Sequence, residues 1–224
     1  MSELLLFDYW RSSAAYRVRI ALNLKRLAYE SRAINLLPGQ DEQLSAEYLL
    51  LNPQGRVPML STVQGELVQS MAILEWLDET YPEPPLLPAD TWQRAKVRAF
   101  AMTIACDVHP LNNLSTQRQI RAQWGDDPAA IGEWGEHWVR RGCEVLEAQL
   151  AGRPARRYAF GDRPTLADIC LVPQLYNARR MELDLSGFPH LTRIDETARA
   201  HPAFAAAAPD RQPDAPKVAV KVRE

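Results

Sequence analysis

The sequence has few of the features that mark membrane, secreted or nucleic-acid-binding proteins. No apolar run in the 224-residue chain is long enough to span a bilayer, and the N-terminal MSELLLFDYW lacks the positively charged start of a signal peptide. Lys and Arg number 26 against 28 Asp and Glu, so no basic patch is expected for nucleic acid or anionic lipid. We therefore expect a cytoplasmic protein that binds neither nucleic acid nor membrane.

Cysteine and histidine are also scarce. The three cysteines, Cys106, Cys143 and Cys170, are far apart and odd in number, and the four histidines are equally scattered. Neither set has the spacing of a metal site, and the cysteines do not form the pattern of a disulfide framework. Free thiols in a reducing compartment and no bound metal are expected.

The first 82 residues alternate between strand-like and helix-like segments. ELLLFDY and YESRAINL predict two strands, separated by a helix from about Ala14 to Leu27. VPMLST and ELVQ predict an antiparallel hairpin, and SMAILEWLDETY predicts a helix that Ser70 caps. In the first helix we assign Arg17 and Arg19 to a solvated edge. The pattern predicts an α/β domain over residues 1–82.

The rest of the chain has helical periodicity. Proline density over residues 83–90 predicts a linker, and apolar residues at three- and four-residue spacings predict an all-helical domain over residues 91–210. Within it, Thr165 and Asp168 have the spacing of a capping box. Residues 211–224 are proline-rich and charged without apolar periodicity, so we predict a disordered tail.

Three short segments of the first half could hold a ligand. In NPQGRVPML, the Val57–Pro58 bond is either cis, leaving the backbone of Val57 open to an extended peptide, or an ordinary start of an edge strand. Gln69 and Ser70 begin a predicted helix, where backbone N–H groups favour a carboxylate, although a plain serine cap explains them too.

The third segment is the serine pair in RSSAAYRVRIALNLK. Ser12 and Ser13 fall between the first strand and the first helix, where a thiol would be shifted toward thiolate by the helix N-terminus and a donated hydrogen bond. A simple helix cap accounts for the same two residues. The residues alone leave both interpretations open.

Several motifs together resemble the zeta-class glutathione transferases, from Leu4 to about Asp214. They are RSSAAYRVRIALNLK, NPQGRVPML, QSMAILEWLDETYP, DVHPLNNL, TLADICLVPQLYNARR and RQPD. The resemblance implies a thioredoxin-like glutathione-binding domain followed by an all-helical substrate domain, the glutathione transferase fold. It also implies a homodimer in the cytosol.

The resemblance assigns roles to individual residues. Ser12 corresponds to the serine that activates the glutathione sulfur, with Ser13 beside it, whereas Ala14 stands where the class has cysteine. Arg11 and Arg180 are implied to bind the carboxylates of a dicarboxylate substrate, since guanidinium groups pair with carboxylates. The residues implied to bind glutathione are Val57, Pro58, Gln69 and Ser70, then Gln43 and Arg56 as weaker candidates, and His109 and Asn113 from the helical half.

The implied activity is a glutathione-dependent cis-to-trans isomerisation of a maleyl-type keto acid, by thiolate addition, rotation and elimination. Maleylacetoacetate is the favoured substrate, because relatives that act on maleylpyruvate carry an arginine pair where this chain has Leu114 and Ser115. A broader transferase or a dehalogenase of α-halo acids is a third enzymatic option. A partner-binding scaffold without catalysis is the alternative from another class, and thiol-disulfide exchange is weak because the loop has no cysteine.

Overall fold

The computed structural model describes residues 3–217, which fall into two compact units. The first unit runs to Thr80 and resumes at Pro202, and the second unit is Tyr81–His201. Each unit has its own set of secondary-structure elements, so each is described by itself.

A four-stranded mixed sheet forms the centre of the first unit. Its strands are β1 (Leu5–Asp8), β2 (Glu30–Ala33), β3 (Met59–Thr62) and β4 (Gly65–Val68), in the order β2-β1-β3-β4. β1 is parallel to β2 and antiparallel to β3, and β3 and β4 form the predicted hairpin. The helices are α1 (Ser13–Leu24), α2 (Ala46–Leu51), α3 (Ser70–Thr80) and α10 (Pro202–Ala207).

Side-chain alternation along the strands gives the sheet two buried faces. Phe7 and Met59 form a cluster with Ile34 and with Tyr48 of α2 on one face. Their neighbours Leu6 and Leu60 point to the opposite face and are fully buried there. On the helical side, α1 packs against α3 and α10. The β-α-β, β-β-α order is that of a thioredoxin-like domain, as the sequence predicted.

The second unit is built of helices, apart from one isolated bridge between Tyr158 and Gly161, which confirms the predicted fold class of this half. Its helices are α4 (Thr91–Met102), α5 (His109–Asn112), α6 (Leu114–Trp124), α7 (Pro128–Ala151), α8 (Leu166–Arg180) and α9 (Pro189–Arg199). A π-helical segment, Thr103–Val108, links α4 to α5. Helix α8 is buried along most of its length and packs against α4 and α9. In the described part of the chain, no helix is both long and apolar enough to cross a bilayer.

The predicted capping box of α8 is present. The carboxylate of Asp168 accepts hydrogen bonds from the backbone N–H of Thr165 at 2.8 Å, from its hydroxyl at 3.0 Å, and from the N–H of Ala159 at 2.8 Å. The box therefore fixes the start of α8 and also the segment before it.

Two arginines of α1 are not on a solvated edge, and that prediction is wrong. Arg17 is 2% exposed and Arg19 is fully buried. Arg19 Nη1 lies 2.6 Å from a carboxylate oxygen of Asp8, so its charge is compensated inside the protein. Helical periodicity detects which side chains share a face, but not which partner allows a charged one to be buried there.

The C-terminal end also differs from the sequence-based expectation. Residues 202–217 group with the first unit, whereas the sequence predicts that residues up to 210 belong to the helical domain and that a disordered tail begins at 211. The segment up to 217 is held because Asp214 accepts a hydrogen bond from the backbone N–H of Trp10 at 2.9 Å, and Asn23 donates one to the carbonyl of Ala203 at 3.1 Å. The expectation for residues 218–224 lies outside the described residues.

Candidate functional site

The strand register brings three of the predicted segments to one end of the sheet. Phe7 pairs with Met59, and Met59 pairs with Val68, so the end of β1, the start of β3 and the end of β4 are neighbours. The segment after β1 carries the serine pair. Val57–Pro58 comes directly before β3, and Gln69–Ser70 comes directly after β4.

Ser12 is the N-cap of α1, and its oxygen is in use as an acceptor. Its Oγ accepts a hydrogen bond from the backbone N–H of Ala15 at 3.2 Å. Within residues 3–217 the hydroxyl hydrogen has no acceptor, and the side chain is half-buried at the positive end of the helix. The cap therefore fixes Ser12 while leaving its O–H able to donate to an anionic group.

The segment before Ser12 is held by a buried arginine. Arg19 donates to the carbonyl of Trp10 at 2.9 Å and to both carboxylate oxygens of Asp8, at 2.6 and 2.9 Å. Burial raises the pKa of Asp8, although the ion pair with Arg19 acts in the opposite direction. Arg11 is half-buried, with its guanidinium carbon 5.5 Å from the centre of the Trp10 ring.

The Val57–Pro58 peptide bond is cis, and the residue before it is fixed by two donors. The hydroxyl of Tyr48 donates to the carbonyl of Arg56 at 2.7 Å, and the side-chain amide of Asn52 donates to the same carbonyl at 2.8 Å. Among the described residues, the backbone N–H and C=O of half-buried Val57 have no hydrogen-bond partner. Both groups are therefore free for an extended peptide.

Gln69 and Ser70 sit at the junction of β4 and α3. Gln69 has a positive φ of 69°, and its side-chain amide donates to Gln54 at 3.0 Å. Ser70 is the first residue of α3 and not the residue before it, and its Oγ accepts a hydrogen bond from Nη1 of Arg17 at 3.2 Å. A helix N-terminus with a cation behind it favours an anionic ligand group.

Gln43 lies beside the turn that precedes Arg56. A Cβ at Gly55 would be 3.0 Å from the backbone oxygen of Gln43, and Gly55 has a φ of 59°, so this close approach and this conformation both require glycine. Gln43 is 3% exposed and its Nε2 donates to Asp41 at 3.3 Å. Arg56 is exposed next to it.

The remaining candidates belong to the second unit. His109 is half-buried and begins α5, directly after the π-helical segment. Asn113 caps α6, where its side-chain oxygen accepts from the backbone N–H of Thr116 at 3.0 Å. Arg180 is exposed at the end of α8 and donates to Asn177 at 2.9 Å.

In the part of the chain that the structure describes, no candidate metal centre competes with this arrangement, and two of the three cysteine thiols are buried. Burial raises the pKa of the Cys143 thiol to about 12, which keeps it protonated. Cys170 is buried and Cys106 is exposed, and all three cysteines are free. No group of three or more His, Cys, Asp or Glu side chains in residues 3–217 could hold a metal ion.

Sequence reasoning missed the residues that hold the site in place. Tyr48 and Asn52 fix the carbonyl of Arg56, and Gln54 pairs with Gln69. The one available signal was the NPQG turn, in which Asn52 accepts from the backbone N–H of Gln54 at 3.1 Å. Arg17 was missed because it was assigned to the helix surface.

Two protein-family models match the chain. One, described as "Glutathione S-transferase, N-terminal domain", matches residues 6–85, and the other, "Glutathione S-transferase, C-terminal domain", matches residues 128–209. A probable maleylacetoacetate isomerase of Vibrio cholerae is 49% identical over 96% of this chain and 100% of its own length.

Solved structures resemble the chain over nearly its whole length. A holo structure of maleylpyruvate isomerase, described as a bacterial glutathione S-transferase of the zeta class, has a TM-score of 0.92 and 46% identity, covering 95% of this chain and 100% of that one. A maleylacetoacetate isomerase of Anaeromyxobacter dehalogenans, solved with glutathione in its active site, has a TM-score of 0.86 and 46% identity over 96% of this chain and 100% of that one.

Proposed function

The chain belongs to the zeta class of the glutathione S-transferase family, and from that premise we propose that it is a glutathione-dependent isomerase of a maleyl-type keto dicarboxylate. The geometry of Ser12 is the observation that supports this proposal most directly. Its position at the start of α1, held by Ala15 and free to donate, suits a residue that stabilises a thiolate. Ala14 stands where the class has cysteine. Its side chain has no polar group that could compete with the hydroxyl of Ser12 for the thiolate.

The residues of the first unit fit glutathione, an extended peptide with a free γ-glutamyl carboxylate. The backbone groups of Val57 suit pairing with the peptide, and Gln69 and Ser70 suit the carboxylate. Buried Arg17 behind Ser70 has guanidinium donors without partners among the described residues, which is the chemistry expected beside an anion. We propose Gln43 and Arg56 as weaker contacts for glutathione, and residues 1–82 as the glutathione-binding domain.

When bound, glutathione would supply the thiol that adds to the cis double bond of the substrate and leaves after rotation. Ser12 would donate its hydroxyl hydrogen bond to the sulfur and lower the pKa of the thiol, with Ser13 beside it. Arg11 and Arg180 would hold the two carboxylates of the substrate and offset negative charge that develops on it. His109 and Asn113 are proposed to reach glutathione from the helical substrate domain.

Maleylacetoacetate is the substrate that we propose, and maleylpyruvate is the second candidate. The similar proteins include isomerases named for each of the two compounds. Leu114 and Ser115 begin α6, at the positions where maleylpyruvate-specific relatives are expected to carry arginines. The preference for the first compound rests on the lack of an arginine pair at these two positions.

Assembly and location are proposed on family membership. A homodimer is the expected assembly, and sedimentation velocity of the purified protein should give twice the 25.3 kDa of the chain. Cytoplasmic location agrees with three free thiols, one of them exposed, because such thiols persist in a reducing compartment. Fractionation of cells that express the protein would test this location.

The decisive assay uses purified protein with maleylacetone or maleylpyruvate, each with and without glutathione. Conversion from cis to trans is expected only with glutathione present, and glutathione should be recovered in full. S-methylglutathione, which lacks the free thiol, is the matched control and should give no turnover. No conversion with either substrate would leave the scaffold interpretation in place of the isomerase, and equal rates with and without glutathione would overturn the proposed role of glutathione.

A further inference from the structure

The segment that joins α7 to α8 carries a local excess of positive charge. Its arginines are Arg153, Arg156, Arg157 and Arg163, and its acidic residue is Asp162. Within residues 3–217 none of these four arginines forms an ion pair. The near-balance of 26 Lys and Arg against 28 Asp and Glu over the whole chain does not predict this excess.

Two of these arginines, Arg153 and Arg156, line a small cavity together with His190 and Arg193 of α9. We call it the arginine cavity. Its volume is about 10 Å³, which has room for about one water-sized group, such as an oxygen of an anion. The described residues that line it include no aspartate or glutamate. The charge of the lining residues therefore favours an anion.

Two of the lining arginines are held by groups that carry no negative charge. The guanidinium carbon of Arg153 lies 4.5 Å from the centre of the Phe160 ring, and Nη1 of Arg193 donates to the carbonyl of Arg156 at 2.7 Å. A guanidinium that is held in these ways keeps its charge and its other N–H donors. Because the two side chains are already positioned, less conformational entropy is lost when an anion binds them.

Glu147 of α7 contacts His190 and is already in use. Its carboxylate accepts from the backbone N–H groups of His190 at 2.9 Å and Leu191 at 3.0 Å, and it lies 2.5 Å from Nδ1 of His190. The N-terminus of α9 and the imidazole therefore offset the charge of Glu147. No such compensation is present for Arg153, Arg156 and Arg193 in the part of the chain that the structure describes.

We propose that the arginine cavity binds a phosphoryl group of a small molecule. A carboxylate has two oxygens, which the fork of one guanidinium can satisfy. A terminal phosphoryl group has three acceptor oxygens and a charge of about −1.5 to −2, so it can be shared among several arginines. Free diphosphate and the diphosphate of a nucleotide both supply this group. The site consists of residues of the second unit alone and does not depend on the proposed isomerase activity.

Calorimetric titration with diphosphate, ADP and citrate tests the inference. The wild type should bind diphosphate and ADP with one site per chain, and citrate, which offers carboxylates only, about 10-fold more weakly. Similar affinities for the first two would identify the free diphosphate group as sufficient, whereas a tenfold preference for ADP would identify a nucleotide. Excess S-methylglutathione should leave these affinities unchanged, because its proposed contacts are other residues.

Arg153→Gln and Arg193→Gln should each weaken diphosphate binding about 10-fold, as for loss of a charge-assisted hydrogen bond. The corresponding lysine variants keep the charge but lose the fork, so a loss of about threefold is expected. Arg121→Gln is the matched control. Arg121 belongs to the same unit but pairs with Asp126 at 2.9 Å, and its replacement should leave the affinity unchanged.

Thermal unfolding of each variant checks that it folds. Arg156→Gln replaces an exposed side chain without a hydrogen-bond partner among the described residues, so it keeps the test valid if another variant is unstable. It should also weaken diphosphate binding, by about three- to tenfold. An undiminished affinity in the folded variants, citrate binding as tight as that of diphosphate, or displacement by S-methylglutathione would overturn the inference. An equal loss in Arg121→Gln would overturn it too, because net charge alone would then attract the anion.

Discussion

At the scale of single residues, Ser12 has two roles that one substitution removes together. Its oxygen accepts from Ala15 N–H at 3.2 Å, and its hydrogen is proposed to be donated to the sulfur of glutathione. Ser12→Ala should cost about 1 kcal/mol of stability as a lost helix cap. Losing a hydrogen bond to a charged sulfur should also lower kcat/KM by about 10- to 100-fold. Ultraviolet absorbance of bound thiolate against pH should show a higher thiol pKa.

Ser45→Ala is the matched control, because it removes the same cap from another helix of the unit. Ser45 caps α2, and its Oγ accepts from the backbone N–H of Tyr48 at 3.2 Å, the same distance as at Ser12. Stability should fall by a similar amount while activity stays at the wild-type level. Equal losses of activity in the two variants would contradict the catalytic role of Ser12. Ser12 would then act only as the N-cap of α1.

At the scale of secondary-structure elements, Arg19 ties three parts of the first unit together. It pairs with Asp8 at the end of β1, and it donates to the carbonyl of Trp10 at 2.9 Å and to that of Ala207 in α10 at 3.0 Å. Arg19→Met should lower the unfolding free energy by about 3–5 kcal/mol, because it leaves the carboxylate of Asp8 buried without its partner. Urea-induced unfolding measures this loss.

Arg32→Met is the control for the loss of unfolding free energy expected in Arg19→Met. Arg32 also pairs with a carboxylate of the first unit, Glu47 at 3.3 Å, but both side chains are more than half exposed. An exposed pair contributes about 0–1 kcal/mol, so the variant should be near the wild type. Similar losses in the two variants would contradict the view that burial decides the contribution of Arg19.

The elements themselves were predictable wherever the signal is local. Alternation in VPMLST and ELVQ and the capping box at Thr165 and Asp168 depend on neighbouring residues, and the structure contains both. The burial of Arg17 and Arg19 was not predictable, since their partners are Ser70, 53 residues away, and Asp8, 11 residues away. No periodicity in α1 encodes either contact.

At the scale of the whole molecule, the motifs predicted the residues of the candidate site but not the contacts that hold those residues in place. Each of Ser12, Val57 and Ser70 was indicated by its own motif. The strand register is what brings the three residues to one end of the sheet. The C-terminal return of the chain was missed, because the contact from Trp10 to Asp214 spans 204 residues. The return of the C-terminal segment to the first unit depends on tertiary contacts, which local sequence patterns do not predict.

The carboxyl group of Asp168 should make the stability of the fold depend on pH. Asp168 is fully buried, and burial raises its pKa to about 6 although hydrogen bonds from Ala159, Thr165 and its own backbone act to lower it. In the unfolded chain the same group titrates near pH 4, so between pH 4 and 6 only the folded protein holds the proton. The contribution of Asp168 is therefore complete below pH 4 and is lost as the pH rises through 6, by about 3 kcal/mol.

Urea unfolding of the wild type and of Asp168→Asn, measured from pH 4 to pH 8, isolates this contribution as the difference between two curves. The wild-type free energy should fall relative to that of the variant as pH rises, because asparagine has no proton to lose. Thr165→Ala is the second variant: removing the hydroxyl that donates to the carboxylate raises the pKa of Asp168 further, so the fall should extend to higher pH. Parallel curves for all three proteins would mean that Asp168 is ionised in the folded state throughout this range.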